Sequence, residues 1–312
     1  GGGSGPSLCV CPAAARGARL YSGRDAPVQV PEVCELRMRK LELLALPDST
    51  LLLIACAGST SATLGRLGLT CRRFGSKTTC DEKEEPLSLV EQAARKWLLG
   101  LAEEQRRWVP RRGAESWMAL MREAEMLRQP LVFGRSNSEV TLLEGGAVAR
   151  RSKAEAHTGR TAVTNTTMRA GRHFAQVVLD GLLMGFGIFR PWMDVENGKD
   201  LFAADGNCVL HTASGRYFPG FRSWKGMCSL EAGDVIGLLL DLDQGSLTVY
   251  RNGERVGIMV AEGLAGEYCW GVSLCLPQVS ARIQSAPAPP SPTADELAGT
   301  IAWQKTATTE KC

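Results

Sequence analysis

The sequence predicts an α+β chain in which a small N-terminal helical unit precedes a domain of antiparallel strands. Two stretches carry that expectation. Residues 233 to 257, GDVIGLLLDLDQGSLTVYRNGERVG, spell three short strands and two turns. Val235 to Leu242 is apolar and β-prone, Gln244-Gly245 turns, Leu247 to Tyr250 resumes the strand, and Asn252-Gly253 supplies the positive-φ pair of a two-residue hairpin. Residues 88 to 127 instead repeat apolar side chains at helical spacing.

The helical elements come first in the chain. Gly1 to Pro31 is rich in Gly, Ala and Arg without periodicity, so residues 1–42 are expected to form a flexible tail, and the start on glycine rather than methionine is compatible with a fragment end. In residues 43–80, Pro47 suits the first turn of a helix and Asp48 lies near its N-terminus, where a carboxylate is favoured. Leu51, Ile54 and Leu64 to Phe74 supply apolar faces. Residues 81–130 read as a two-helix connector. Ser88-x-x-Glu91 makes a capping box behind Pro86, and Val90, Ala93, Ala94, Trp97, Leu98 and Leu101 follow at helical spacing. After the Pro110 to Gly113 break, Trp117, Leu120, Met121, Ala124 and Leu127 repeat the pattern until Pro130. These two helices are expected to pack together and hold the first helical unit at a fixed distance from the strands.

The wording of 233–257 resembles the core of the SPRY domain, a β-sandwich family that binds peptides and partner proteins through loops at one edge. The resemblance runs over roughly 131 to 285. Glu139 to Leu143 with Glu144-Gly145-Gly146 suits a first strand and turn, and Gly171 to Leu179 resembles a family strand with Ala175, Val177 and Leu179 on one face and Phe174 and Val178 on the other. Asp180-Gly181 turns, and Leu183 to Phe189 reads as the next strand, with Gly185 and Gly187 where a bulge or close backbone approach is expected. Cys208 to Thr212 with Ser214-Gly215 and Arg216-Tyr217 is similar to the family's small hairpin. Tyr268 to Leu274 and Val279 to Ile283 resemble the last two strands. The fold class expected is therefore α+β multidomain, a small helical unit followed by an antiparallel SPRY-type β-sandwich. Beyond it, in residues 286–312, Ala286 to Pro292 (APAPPSP) reads as an extended linker, and Thr293-Ala294-Asp295-Glu296 begins a short helix that ends near Trp303. Trp303 either docks back on the sandwich or marks a peptide motif.

The SPRY resemblance implies a shallow partner surface made by loops. Two loops carry the side chains that most often hold binding energy. The first offers Arg190, Pro191, Trp192 and Asp194, and the second Tyr217, Phe221, Arg222 and Trp224. A second reading of Trp224 is a lid that packs over the sandwich. Asn197-Gly198, Lys199-Asp200 and Asp205-Gly206 extend the first loop with turn chemistry.

Leu46-Pro47, Leu51, Ile54, Leu64, Leu67 and the closing Leu69-Thr70-Cys71-Arg72-Arg73-Phe74 resemble an F-box, the helical motif that docks a Skp-type adaptor of cullin ubiquitin ligases. On that resemblance Leu46, Pro47, Leu51, Ile54, Leu64, Leu67, Cys71 and Phe74 would face the adaptor. The alternative is a helical unit that packs only on its neighbours.

Other classes find little support. A formal charge of +3 on 312 residues gives no electrostatic reason for nucleic acid or a membrane surface, and Arg106-Arg107, Arg111-Arg112 and Arg150-Arg151 are short clusters that suit a solvated face. The longest apolar run, Leu51 to Ala57, is far short of the roughly 20 residues that span a bilayer. Eleven cysteines include no C-x-x-C, and with only His157, His173 and His211 neither a metal cluster nor a nucleophilic site assembles, so no catalytic residue, metal or cofactor is expected. Asp241-x-Asp243-x-Gly245 has glycine one position early for a calcium loop and reads as a hairpin. Glu231, Asp234, Asp241 and Asp243 are the carboxylates a sandwich glycosidase would need, but Asp234 follows Gly233 in a turn. The expected function is an intracellular, cytoplasmic or nuclear, protein-binding module: the substrate receptor of a cullin-type ligase, whose sandwich loops capture a peptide segment. A SPRY scaffold with no ubiquitin role is the alternative, and a carbohydrate-binding sandwich is the third reading.

Overall fold

In the computed structural model the described residues are 46–57, 60–77, 86–152, 159–181, 185–196, 206–226, 228 and 230–309. The expected tail 1–42, the ends of segment 43–80, residues 182–184, the loop extension 197–205 and His157 lie outside them. All the helices and strands below lie in one compact unit, Pro47–Cys312.

Among the described residues six helices open it: α1 (Asp48–Cys56), α2 (Ser61–Thr70), α3 (Arg72–Gly75), α4 (Leu89–Leu99), α5 (Glu103–Trp108) and α6 (Trp117–Leu127). Thr60, Ser88 and Ser116 cap α2, α4 and α6, each accepting from the backbone N–H three residues on. The capping box at Ser88 is half of what the spacing predicts. Ser88 Oγ accepts from Glu91 N at 3.3 Å, but the Glu91 carboxylate reaches across to α6, accepting from Ser116 Oγ at 2.6 Å and Trp117 N at 2.7 Å. In turn Glu125 of α6 accepts from Ser61 N (3.0 Å) and Ser61 Oγ (2.5 Å) at the start of α2. Each carboxylate sits at the positive end of a neighbouring helix, where orphan N–H groups and the dipole favour it. The helices are thereby capped by one another.

Their core is Leu51, Leu64, Phe74, Val90, Ala93, Ala94, Leu98, Leu120, Met121 and Ala124, all buried. Gly68 lets α2 approach α4, since a Cβ there would lie 3.3 Å from Val90 Cγ2. The connector contains three helices where two were expected, because Glu103–Trp108 forms a turn and a half between the apolar stripes.

Thirteen strands follow among the described residues: β1 (Phe133–Ser136), β2 (Val140–Leu143), β3 (Val148–Arg151), β4 (Arg160–Thr164), β5 (Arg172–Asp180), β6 (Gly185–Phe189), β7 (Cys208–Leu210), β8 (Tyr217–Phe218), β9 (Val235–Asp241), β10 (Ser246–Arg251), β11 (Glu254–Val260), β12 (Cys269–Leu274) and β13 (Ser280–Ser285). They form two antiparallel sheets, a six-stranded one in the order β1-β4-β12-β6-β7-β8 and a seven-stranded one in the order β11-β10-β9-β5-β13-β3-β2. The inner faces meet in one core that includes Ala175, Val177, Phe186, Ile236, Leu238, Leu240, Trp270, Val272 and Ile283. This is the antiparallel β-sandwich with preceding helices that the sequence predicts.

Strands β1, β3 and β4 were not anticipated, because FGRS, VARR and RTAVT are short and carry arginines. Arg151 in β3 is buried. Its Nη1 donates to Leu274 O (3.2 Å) and Cys275 O (2.5 Å), and Nη2 lies 3.7 Å from Glu139.

The C-terminal helix α7 (Ala294–Thr309) is longer than expected and opens with a reciprocal box, Thr293 Oγ1 accepting from Glu296 N and Glu296 Oε2 from Thr293 N. Trp303 packs against the margin of the sandwich core, Gln304 Nε2 donates to Met259 O at 3.1 Å, and Arg255 pairs with Glu296.

Candidate functional site

The site is best located from strand register. Val209 pairs with Phe218, Gly187 with Val209, and Phe189 with Cys269, so Phe189, Val209, Phe218 and Cys269 share the outer face of the six-stranded sheet, opposite the main core. At Gly187 the two backbones nearly touch; a Cβ there would stand 2.2 Å from Cys208 O, the close approach that the glycine spacing predicts.

The first expected loop folds over this outer face. Met193 and Val195 pack on Val163, Phe189, Val209 and Cys269. Polar groups then pin its backbone: Arg135 donates to Pro191 O at 2.5 Å and to Met193 O, and Asn137 Nδ2 donates to Val195 O and Glu196 O. Arg190 is a positioning residue. Its guanidinium lies 4.1 Å above the Tyr268 ring, its Nη1 donates to Ala265 O and Glu267 O, and its backbone N–H is taken by Asn207 Oδ1. Pro191 is half-buried, and the exposed Asp194 accepts from Glu196 N. Trp192 is the large apolar side chain that this loop displays. It is 69% exposed, with the Arg190 guanidinium 5.7 Å from its ring.

The second loop divides between the two faces. Phe221 stands outside with His211 and Phe218, the ring centroids 5.3 to 6.0 Å apart, and Arg216 lies 5.0 Å over its ring. Phe221 has φ +50°, a left-handed conformation uncommon for a bulky residue. Such an outlier is worth attention as a functional signal. Arg222 is exposed and its backbone pairs with Tyr217.

Tyr217 and Trp224 were expected to contact a partner, but both are buried in the main core; Trp224 is 3% exposed and donates Nε1–H to Gly215 O at 2.5 Å. Tyr217 precedes Phe218 by one residue and so faces the opposite way. Trp224 takes the lid role. Arg135, His211 and Phe218 complete the outer surface and were not singled out. Phe218 was visible as an aromatic in the loop, whereas nothing local in FGRS marks Arg135 as a clamp for a segment more than fifty residues on.

On the helical unit the expected adaptor residues also divide. Leu51, Leu64 and Phe74 are buried in its core, Leu46, Leu67 and Cys71 are half-buried, and Pro47 is exposed. Ile54 is 43% exposed, and two side chains not singled out as docking residues are exposed as well, Leu53 on α1 at 58% and Leu69 on α2 at 90%.

Asp234, Asp241 and Asp243 hold turns and an ion pair. Asp234 accepts from Glu231 N and Asn252 Nδ2 and pairs with Arg251, Asp241 Oδ1 accepts from Asp243 N and Gln244 N, and Asp243 accepts from Gly171 N. Burial pushes the Cys208 thiol up to about 12 and Cys269 up to about 11, so neither supplies a thiolate near neutrality. Among the described residues no group of three or more His, Cys, Asp or Glu is placed to hold a metal, and no helix is long and apolar enough to cross a membrane.

Solved structures similar to the chain include three SPRY domains. The SPRY domain of human HERC1 is 15% identical with a TM-score of 0.40, covering 50% of this chain and 100% of that one. The TRIM65 PSpry domain is 14% identical with a TM-score of 0.40, covering 51% of this chain and 92% of that one. A human SPRY domain is 15% identical with a TM-score of 0.37, covering 47% of this chain and 95% of that one. No protein-family model and no curated protein sequence matches.

Proposed function

We propose that this chain is a protein-binding module of SPRY type, which captures a peptide segment of a partner on the outer face of its six-stranded sheet. The observation that carries the reading is Trp192, an exposed indole on a loop whose backbone is held by Arg135, Asn137 and Arg190. A large side chain carried on a loop whose backbone is already fixed spares the cost of ordering that loop on binding, which favours an anchor at an interface. Phe221, with Arg216 over it and Arg222 beside it, offers a second contact on the same sheet. Arg190 and Pro191 shape the loop, and Trp224 and Tyr217 support the surface from beneath.

The finer reading is a substrate receptor of a cullin-type ubiquitin ligase, docking a Skp-type adaptor through the helical unit. It is supported by Leu53, Ile54 and Leu69, three apolar side chains left exposed on α1 and α2. In that reading this chain contributes proximity and other subunits transfer ubiquitin.

The test is affinity capture from native lysate with the full chain, Trp192→Ala, and Ile54→Asp/Leu69→Asp, read by mass spectrometry. Loss of one set of partners in the first variant and of Skp-type and cullin subunits in the second supports both halves. Capture through Trp192 with no ligase subunit in any sample leaves a scaffold module, and capture unchanged by Trp192→Ala removes the binding surface proposed.

A further inference from the structure

The proline-rich segment Ala286–Pro292 crosses a surface that the partner site does not use. Asp241, Leu239 and Gly237 share one face of β9, and Tyr250 pairs with Gly237, so these residues lie on the outer face of the seven-stranded sheet, opposite Ile236, Leu238 and Leu240 in the core. The segment lies over that face as a strap. Ser291 Oγ donates to Asp241 Oδ2 at 2.5 Å, Arg172 Nη1 reaches Ser291 Oγ at 3.5 Å, and Tyr250 OH reaches Pro290 O at 3.5 Å. Four of its seven residues are prolines, which have no N–H to give, so no backbone ladder can hold it. The Ser291 hydroxyl is its shortest tie to the sheet, and the residue that follows is Pro292.

We propose that Ser291 is a phosphoacceptor for a proline-directed protein kinase, and that its phosphorylation keeps the strap off the sheet. The Ser291 oxygen forms a bond to the γ-phosphorus of a nucleoside triphosphate, the bond to the departing diphosphate breaks, and the hydroxyl proton passes to the kinase's base. Pro292 is buried when the strap is seated, so the kinase takes the lifted form. Return is then blocked by charge. The cleft beside Ser291 is lined by Glu103, Glu104, Asp241 and Asp243, against Arg107 and Arg172. Both guanidiniums are engaged, Arg107 with Glu103 at 2.7 Å and Arg172 with Glu104 at 2.6 Å. A phosphoryl group of charge about −2 placed against these carboxylates is repelled, and it has lost the proton that bonded Asp241. The strap stays tied at its ends, to β13 and to α7, so the lifted form is a loop that bares Asp241 and Tyr250.

The test treats the full chain and Ser291→Ala with a proline-directed kinase and ATP, locates the phosphate by mass spectrometry, and then times cleavage after Pro287 by a post-proline endoprotease. A synthetic peptide of residues 286–296 is the control for intrinsic acceptance. The expected result is modification at Ser291 with cleavage faster by about tenfold on kinase treatment, the factor for losing one hydrogen bond to a charged acceptor, whereas Ser291→Ala, which lacks that bond from the start, is cleaved at the same rate with and without treatment. Modification of the peptide but not the full chain would mean that the strap never lifts, and failure in both would mean that Ser291 is no acceptor. Modification with unchanged cleavage would mean that Arg172 holds the phosphate in place. Each of these three overturns the proposal.

Discussion

Lowering the pH from 7 to 5 should destabilise this protein through one buried histidine. His173 on β5 is enclosed between sheet and helices, its ring 5.6 Å from Trp108 and its Nε2 donating to Ala170 O at 2.8 Å. Burial holds its pKa down from 6.5 to about 4, against the upward pull of the Ala170 hydrogen bond and of Asp243, Asp241 and Glu104 nearby. A folded-state pKa below the unfolded one means that the unfolded chain takes up the proton first. The stabilisation is therefore complete above about pH 6.5 and is lost as the pH falls toward 4. At 1.36 kcal/mol per pH unit that gap is worth about 3 kcal/mol, of which about 2 kcal/mol is gone by pH 5. Hydrogen bonds, to Arg169 and to Arg282 respectively, hold Glu115 and Glu144 below the ordinary carboxylate value, so their contributions are lost only at lower pH and leave this window clear. Burial raises Glu123, which works in the opposite direction. The assay is the urea midpoint of the full chain at pH 7 and pH 5, beside His173→Gln, whose amide N–H can still donate to Ala170. His211, lowered by burial too, is controlled by His211→Gln. If His173→Gln loses as much stability between the two pH values as the parent chain, the histidine is not the cause and the reasoning fails.

Three further outcomes follow from packing and charge. Trp224→Ala should lose about 3–5 kcal/mol and Trp192→Ala less than about 0.5 kcal/mol in thermal or urea unfolding; equal losses would mean that the exposed and buried roles are misassigned. Arg169 is nearly buried, with Nη1 2.6 Å from Glu115 and Nε 2.7 Å from Glu123, so Arg169→Met should cost about 2–3 kcal/mol by stranding the two carboxylates, and a loss below about 0.5 kcal/mol would make it an ordinary surface pair. Gly187→Ala places a Cβ 2.2 Å from Cys208 O and should cost about 1–3 kcal/mol through separation of β6 and β7; unchanged stability with unchanged strand pairing would refute the close approach.

The legible parts of the sequence were those whose signal is local. The meander from β9 to β11 is announced by alternation and by Asn252-Gly253, whose φ values of +53° and +88° are the turn geometry that such a pair encodes. The connector helices declared themselves by apolar period. What escaped was set by distant partners. Glu91 matches a capping box by spacing, yet a second helix N-terminus lies within its reach and takes the carboxylate. Arg151 looked like half of a basic cluster, and the carbonyls of Leu274 and Cys275 bury it. Trp224 and Trp192 are the same residue type in similar loops, and what separates them is distant packing: Trp224 is received by the sandwich core and the Gly215 carbonyl, whereas Trp192 is left outside by the loop that Arg135 and Asn137 hold down.

The order in which the elements lock together bears on what the helical unit can do. A flexible Gly/Ser-type linker would let the helices and the sandwich wander, and anything bound to one would meet anything bound to the other only by statistical proximity. This connector is built otherwise. Its α4 and α6 supply the core against which α1 and α2 pack, and Glu91 and Glu125 tie the helices end to side. The same connector grips the sandwich: Trp108 Nε1 donates to Arg172 O at 2.9 Å, Arg112 donates to Arg169 O at 3.1 Å, and Arg169 is clasped by Glu115 and Glu123. Every one of those sandwich residues lies in Arg169–Arg172, at the start of β5. A partner held near Trp192 and a partner held at Ile54 and Leu69 would thus be kept at one fixed separation, the property a proximity-based receptor needs and a simple tether lacks. If Arg169→Met severed that grip while the sandwich stayed folded, capture through Trp192 should persist, and any function that depends on both surfaces at once should fall.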